Sequence, residues 1–151
     1  MIEIISYTAD YHSDFKRLNL EWLEKYGLVE SHDLEILDDP EGTVLSRGGM
    51  IFLAKEGDVV VGTAGLWREN DREYELVKMA VDPAYQGRGI SKLLLDKCLA
   101  AARDLKAEKI YLFSNSQLTT ALQLYSRYGF RHVAPEDSPF VTADVKMELE
   151  L

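Results

Sequence analysis

With 151 residues, 46% of them hydrophobic and 28% charged, the chain has the size and composition of one ordinary globular domain, which excludes collagen-like, low-complexity and strongly disordered classes. It carries 17 Lys and Arg against 26 Asp and Glu, a formal charge of −9. A chain this acidic, with no basic stripe to offset the excess, repels phosphate backbones, so nucleic acid is not an expected partner.

Ile2, Ile4 and Ser6 alternate with other residues and predict a short first strand. Phe15, Leu18, Trp22, Leu23 and Tyr26 then recur at helical spacing until Gly27. The polar stretch from Glu30 to Gly49 holds a short helix around Leu34 and Leu37 and a turn at Asp39-Pro40-Glu41-Gly42. Met50 to Ala54 and Val59 to Leu66 read as a hairpin about Lys55-Glu56-Gly57-Asp58, and Glu73 to Val81 adds a third antiparallel strand that stops at Asp82-Pro83. Ile90, Leu93, Leu94, Cys98, Ala101 and Leu105 mark an amphipathic helix. Ile110 to Phe113 is nearly all apolar, as in a strand covered on both faces. A helix through Leu118, Ala121, Leu122 and Tyr125 ends at Gly129, Phe130 to Val133 forms a strand, and Val141 to Leu151 a final one. Hairpins in the first half and strand–helix–strand units in the second predict a mixed α/β fold around one sheet, in a single domain over residues 1–151.

The lone Cys98 excludes an internal disulfide and reads as core packing, and His12, His32 and His132 lack metal-ligand spacing, so no metal is expected. The opening residues have neither the basic start nor the apolar core of a secretion signal, and no apolar run reaches the roughly 20 residues that span a bilayer. The expected setting is cytoplasmic, without membrane.

The most informative segment is Gln86-Gly87-Arg88-Gly89-Ile90-Ser91, which joins a strand to an apolar helix. Two glycines let the backbone approach a ligand, and the unpaired N–H groups of a helix start favour an anion such as a pyrophosphate, with Arg88 as an added contact. It is neither a Walker A loop nor a full dinucleotide fingerprint. The segment resembles the Gln/Arg-x-x-Gly-x-Gly/Ala signature of the GNAT superfamily of acyl-CoA-dependent N-acetyltransferases, with Ser91 in the last position. Val81-Asp82-Pro83 before it and Leu124-Tyr125-Ser126-Arg127-Tyr128-Gly129-Phe130 after it are similar to that family's flanking motifs. The Asn that many members carry seven residues before the tyrosine is Leu118 here.

The resemblance implies a mostly antiparallel sheet flanked by helices, with a central parallel strand pair splayed to hold acetyl-CoA. The pantetheine arm would lie along Met79, Ala80 and Val81, and the pyrophosphate on Gln86, Gly87, Arg88, Gly89, Ile90 and Ser91. Tyr125 corresponds to the tyrosine that protonates the departing thiolate and also touches the cofactor, and Glu75 stands where some members carry a catalytic base. The backbone N–H of Met79 is the expected oxyanion donor. The implied activity is acetyl transfer from acetyl-CoA to a primary amine of a small molecule, peptide or protein. The alternative is a silent acyl-CoA-binding sensor or subunit. Glu30, His32, Asp33, Glu35, Asp38, Asp39 and Glu41, with Glu136, Asp137 and Asp144, suggest an acidic lining for a cationic acceptor. The chain is expected to be a monomer or a homodimer paired through its final strand.

Overall fold

A computed structural model describes residues 1–136 and 138–151. In chain order the elements are β1 (Ile2–Ser6), α1 (His12–Lys25), α2 (Ser31–Asp38), α3 (Pro40–Thr43), β2 (Met50–Glu56), β3 (Val59–Arg68), β4 (Glu73–Val81), α4 (Ile90–Asp104), β5 (Lys109–Ser114), α5 (Thr119–Arg127), β6 (Arg131–Val133) and β7 (Val145–Glu150). The described strands form one sheet in the order β1-β2-β3-β4-β5-β7-β6. All neighbours run antiparallel except β4 and β5. This is the mixed, mostly antiparallel sheet with one central parallel pair that the sequence suggested.

Alternation along β2 sorts the core into two layers. Ile51 and Leu53 join Phe15 and Leu18 of α1 and Ile36 and Leu37 of α2 on one face. Phe52 and Ala54 join Leu94, Leu95, Cys98 and Leu99 of α4 and Leu124 and Tyr125 of α5 on the other. Cys98 is fully buried there, as a small apolar side chain. A Cβ on Gly62 would lie only 3.0 Å from Leu94 and 3.2 Å from Ile90, so the glycine lets α4 sit directly on β3. Among the described residues, no helix is long and apolar enough to cross a membrane.

Three expectations need correction. Asp39 to Gly42 is not a simple turn: Pro40–Thr43 is a helical turn, because Pro40 starts it and the Asp39 carboxylate accepts from the Gly42 N–H. The final strand begins at Val145, not Val141, because Glu30 takes the N–H groups of Val141 and Thr142 that would otherwise extend the ladder. That strand is also not an edge. It lies between β5 and β6, so a two-fold pairing through it would have to displace β6.

Candidate active site

The parallel pair is short. Glu73, Tyr74 and Glu75 pair with Lys109, Ile110 and Tyr111, after which β4 runs on to Val81 and β5 to Ser114 without pairing with each other. Between them opens a cleft of about 530 Å³. It is walled by Val77 to Val81 on one side and Leu112 to Asn115 on the other, with Gln86, Gly87, Gly89, Ile90 and Ser91 at one end and α1 with Phe140 and Thr142 at the other.

A bulge shapes the β4 wall. Thr63 pairs with Ala80 and Gly65 with Val77, so Ala64 alone opposes both Lys78 and Met79. Lys78 sits at φ +54°, a left-handed conformation that costs a non-glycine residue about 1 kcal/mol or more. A relay of side chains holds it there. Asn19, buried in α1, donates to the Phe15 carbonyl at 2.9 Å and to Thr63 Oγ1 at 3.0 Å, and Thr63 Oγ1 donates to the Lys78 carbonyl at 2.7 Å. The bulge turns the Lys78 side chain into the helical end of the cleft, where its ammonium pairs with Asp33 of α2 and lies 5.3 Å from the centre of the Phe140 ring. Both side chains are almost fully covered, 6% exposed for Lys78 and 4% for Asp33.

Glu75, the last residue of β4 paired with β5, lies at the cleft wall and is 8% exposed. Burial pushes its carboxyl up from 4.5 to about 7. The positive charges of Lys78 and Lys146 hold back part of that rise, while Glu69 adds to it. Tyr125 lines the cleft from α5, its ring tilted against Phe130 at 5.7 Å between centroids. Burial, with a smaller contribution from nearby Cys98, raises its phenol well above the usual value.

At the other end, Gly87 and Gly89 take φ +81° and +76°, and a Cβ on either would meet nothing within 4 Å. Their backbones therefore face open space at the cleft mouth. Gly89 precedes α4 with no side-chain cap, and the first helical bond is Leu93 N–H to Gly89 O. The N–H groups of Ile90, Ser91 and Lys92 are left for a ligand. This cradle fits a diphosphate.

The structure brings together Glu75, Met79, Ala80, Val81, Gln86, Gly87, Gly89, Ile90, Ser91 and Tyr125 on one cleft. It does not bring Arg88, whose guanidinium lies over the Tyr85 ring at 4.8 Å and pairs with Glu56 at 3.2 Å. Lys92 and Arg127 are the cations that line this end. Spacing in the sequence marks neither: Lys92 falls in the first turn of α4, and Arg127 is the last residue of α5, two positions after Tyr125 and so off its face of an ideal helix.

Among the described residues, the expected acidic lining does not form. Asp38 pairs with Lys16, Glu35 with His32, and Glu41 accepts from the Tyr7 hydroxyl. Asp39 caps α3, Asp144 accepts from Ser116, and Glu136 is exposed. Glu30 accepts from Val141, Thr142 N–H and the Thr142 hydroxyl; burial opposes ionisation there, but these bonds hold the carboxyl below its usual range. Asp137 lies outside the described residues. Of the expected acids among the described residues, only Asp33 lines the cleft, and it pairs with Lys78.

The sequence matches the profile of the Acetyltransferase (GNAT) family over residues 11–130. An uncharacterized N-acetyltransferase of Mycobacterium tuberculosis is 34% identical over 97 residues, which are 64% of this chain and 58% of that protein. The chain thus spans little more than half of that relative. The uncharacterized N-acetyltransferase YjgM of Escherichia coli K12 is 31% identical over 136 residues, 84% of this chain and 81% of YjgM. The crystal structure of a GNAT-family acetyltransferase from Staphylococcus aureus Mu50 superposes with a TM-score of 0.91 at 28% identity, covering 100% of this chain and 99% of the other. YncA of Salmonella typhimurium, solved with acetyl-CoA, shares the fold at a TM-score of 0.78 and 21% identity over 100% and 94% of the two chains. A family match across most of the sequence, with the splayed strand pair and the glycine cradle in place, shows that the chain belongs to the GNAT family of acetyltransferases.

Proposed function

We propose that the cleft binds acetyl-CoA between β4 and β5 and that the protein transfers the acetyl group directly to the nitrogen of a primary amine. The observation that carries this reading is the placement of Glu75 and Tyr125 on one cleft, with Glu75 where the parallel pair opens. The unpaired edge of β4 from Val77 to Val81 would receive the pantetheine amides. The open amides of Gly87 to Lys92 would receive the diphosphate, with Lys92 and Arg127 as its nearby cations.

The amine arrives as an ammonium with an ordinary pKa near 10.4 and must lose a proton before it can attack. Glu75, at about 7, is ionised for much of the time at neutral pH and is the basic group of the cleft wall. The nitrogen lone pair then forms the C–N bond, the C–S bond breaks, and the Met79 N–H, turned by the bulge, would donate to the carbonyl oxygen as charge develops on it. The thiolate leaves into a buried site that penalises its charge as it penalises that of the Tyr125 phenolate. Both acids are therefore weakened together, and the phenol can supply the proton. The nitrogen gives up its second proton to solvent as the C–N bond forms, Glu75 passes its own proton on to solvent, and solvent restores Tyr125, so that one proton is released for each amide formed.

The test is incubation with acetyl-CoA and a panel of amines, following free thiol and the mass of the product. Amine-dependent thiol release with a product one acetyl group heavier is the expected outcome. Tight acetyl-CoA binding with no release for any amine would instead make the protein an acyl-CoA sensor or subunit.

A further inference from the structure

We infer that the acceptor is a primary amine on an uncharged, apolar or aromatic body, and that the Lys78–Asp33 pair enforces this by leaving no unspent charge in the acceptor compartment. The inference rests on the proposed acetyl transfer and names its substrate class. The helical end of the cleft is walled by Trp22, Leu23, Tyr26, Leu28 and Phe140, together with this ion pair. Glu75 takes the proton of the reacting amine. A second positive charge on the acceptor would need a further anion, and among the described residues the only other carboxylate on the cleft, Asp33, is spent on Lys78. A carboxylate on the acceptor would need a cation, and Lys78, the only one among the described residues that line this end, is spent on Asp33. Either charge would enter a half-buried, largely apolar end of the cleft without a partner there, and desolvating an unpaired charge is unfavourable. An aromatic or aliphatic body, by contrast, meets the faces and edges of rings.

The pair is held in place from both sides. On the Lys78 side, the bulge and the Asn19–Thr63 relay fix the backbone from which the ammonium projects. On the Asp33 side, the second carboxylate oxygen accepts from the Glu30 N–H at 2.9 Å. A left-handed lysine and a buried ion pair are both expensive, and packing alone would be served as well by apolar residues. Their shared effect is to cancel both charges at the one place an acceptor must occupy.

The wild-type protein is assayed with 2-phenylethylamine, spermidine, lysine methyl ester and glutamate at saturating acetyl-CoA. The expected kcat/KM for 2-phenylethylamine exceeds each of the others by at least tenfold. Two variants then expose the charges one at a time. Lys78→Met leaves Asp33 unpaired and should shift preference toward spermidine and lysine methyl ester by tenfold or more. Asp33→Asn leaves Lys78 unpaired and should shift it toward glutamate. A wild-type preference for spermidine or glutamate overturns the inference while leaving acetyl transfer intact, and a panel on which no amine is acetylated overturns both. Variants that fold and lose activity uniformly, without the opposite shifts, reduce the pair to a structural role and overturn the inference. A variant that does not fold leaves the wild-type ranking to decide.

Discussion

Glu75 carries opposite demands on activity and stability. The folded protein holds its proton more tightly than the unfolded chain does, since its carboxyl lies at about 7 instead of 4.5. The group therefore favours folding most below about pH 4.5, and that contribution is lost as pH rises through about 7. A rise of this size corresponds to about 3 kcal/mol. Glu75→Gln keeps the shape and removes the buried charge, so its melting temperature should exceed that of the wild type at pH 8 and match it near pH 4.5. Its kcat/KM at neutral pH should fall by about 10²- to 10⁴-fold, and the wild-type profile should rise toward a plateau with an apparent pKa of about 7 that the variant lacks. Equal melting at pH 8 would mean the carboxylate is better solvated than its burial implies. Tyr125→Phe separates chemistry from packing differently. The ring keeps its contact with Phe130, so stability should change by about 1 kcal/mol or less. Thiol release in a single turnover should slow by about 10²-fold or more if the phenol is the acid. An unchanged single-turnover rate would assign that proton to water.

At the scale of elements, the loop before β7 is tied to the start of α2 by one carboxylate. Glu30 accepts from Val141 at 2.7 Å and from the Thr142 N–H at 2.9 Å, and the Thr142 carbonyl accepts from Asn115 Nδ2 at 2.7 Å. This anchors Phe140 against Lys78 at the acceptor end and has no contact with the glycine cradle. Glu30→Ala removes an ionised acceptor of several bonds, each worth about 1.5–3 kcal/mol. The acceptor KM should rise about tenfold, with the acetyl-CoA KM within about twofold of wild type, as steady-state kinetics would show. Parallel changes in both constants would point to general loosening instead. The same loop shows where sequence reading stops. Strand and helix periods gave nearly every element, and the glycines and Tyr125 stood out because backbone freedom and local motifs are written in neighbouring residues. Lys78 is unmarked because one bulge residue turns it out of the alternation of β4, and its partner Asp33 is 45 positions away in sequence. The acidic run from Glu30 to Glu41 looked like one lining for the same reason. Glu35 and Asp39 are answered within three residues, but Glu30, Asp33, Asp38 and Glu41 meet partners that only the fold brings near: the backbone of Val141, Lys78, Lys16 and Tyr7.

For the whole molecule, the open seam between β4 and β5 is a break in an otherwise continuous sheet. Two packed layers, one on each face, hold the strands around it, so the unpaired backbone of Val77 to Val81 faces a cleft that neither core fills. The chain's charge of −9 opposes an anionic ligand, and the exception is local: helix-start amides, Lys92 and Arg127 at one end of the seam. A ligand that pairs with β4 and rests on those amides binds only the folded state, and so adds its binding free energy to stability. At one hundred times its dissociation constant that gain is about 2.7 kcal/mol. For a domain of this size each kcal/mol shifts the midpoint by roughly 2–4 °C, so saturating CoA should raise the melting temperature by about 5–11 °C. Replacing both Gly87 and Gly89 by alanine sets a Cβ into the open space where the diphosphate would lie and should abolish most of that rise. A full rise in the double variant would place the diphosphate elsewhere, and no rise in the wild type would leave the seam without a CoA ligand.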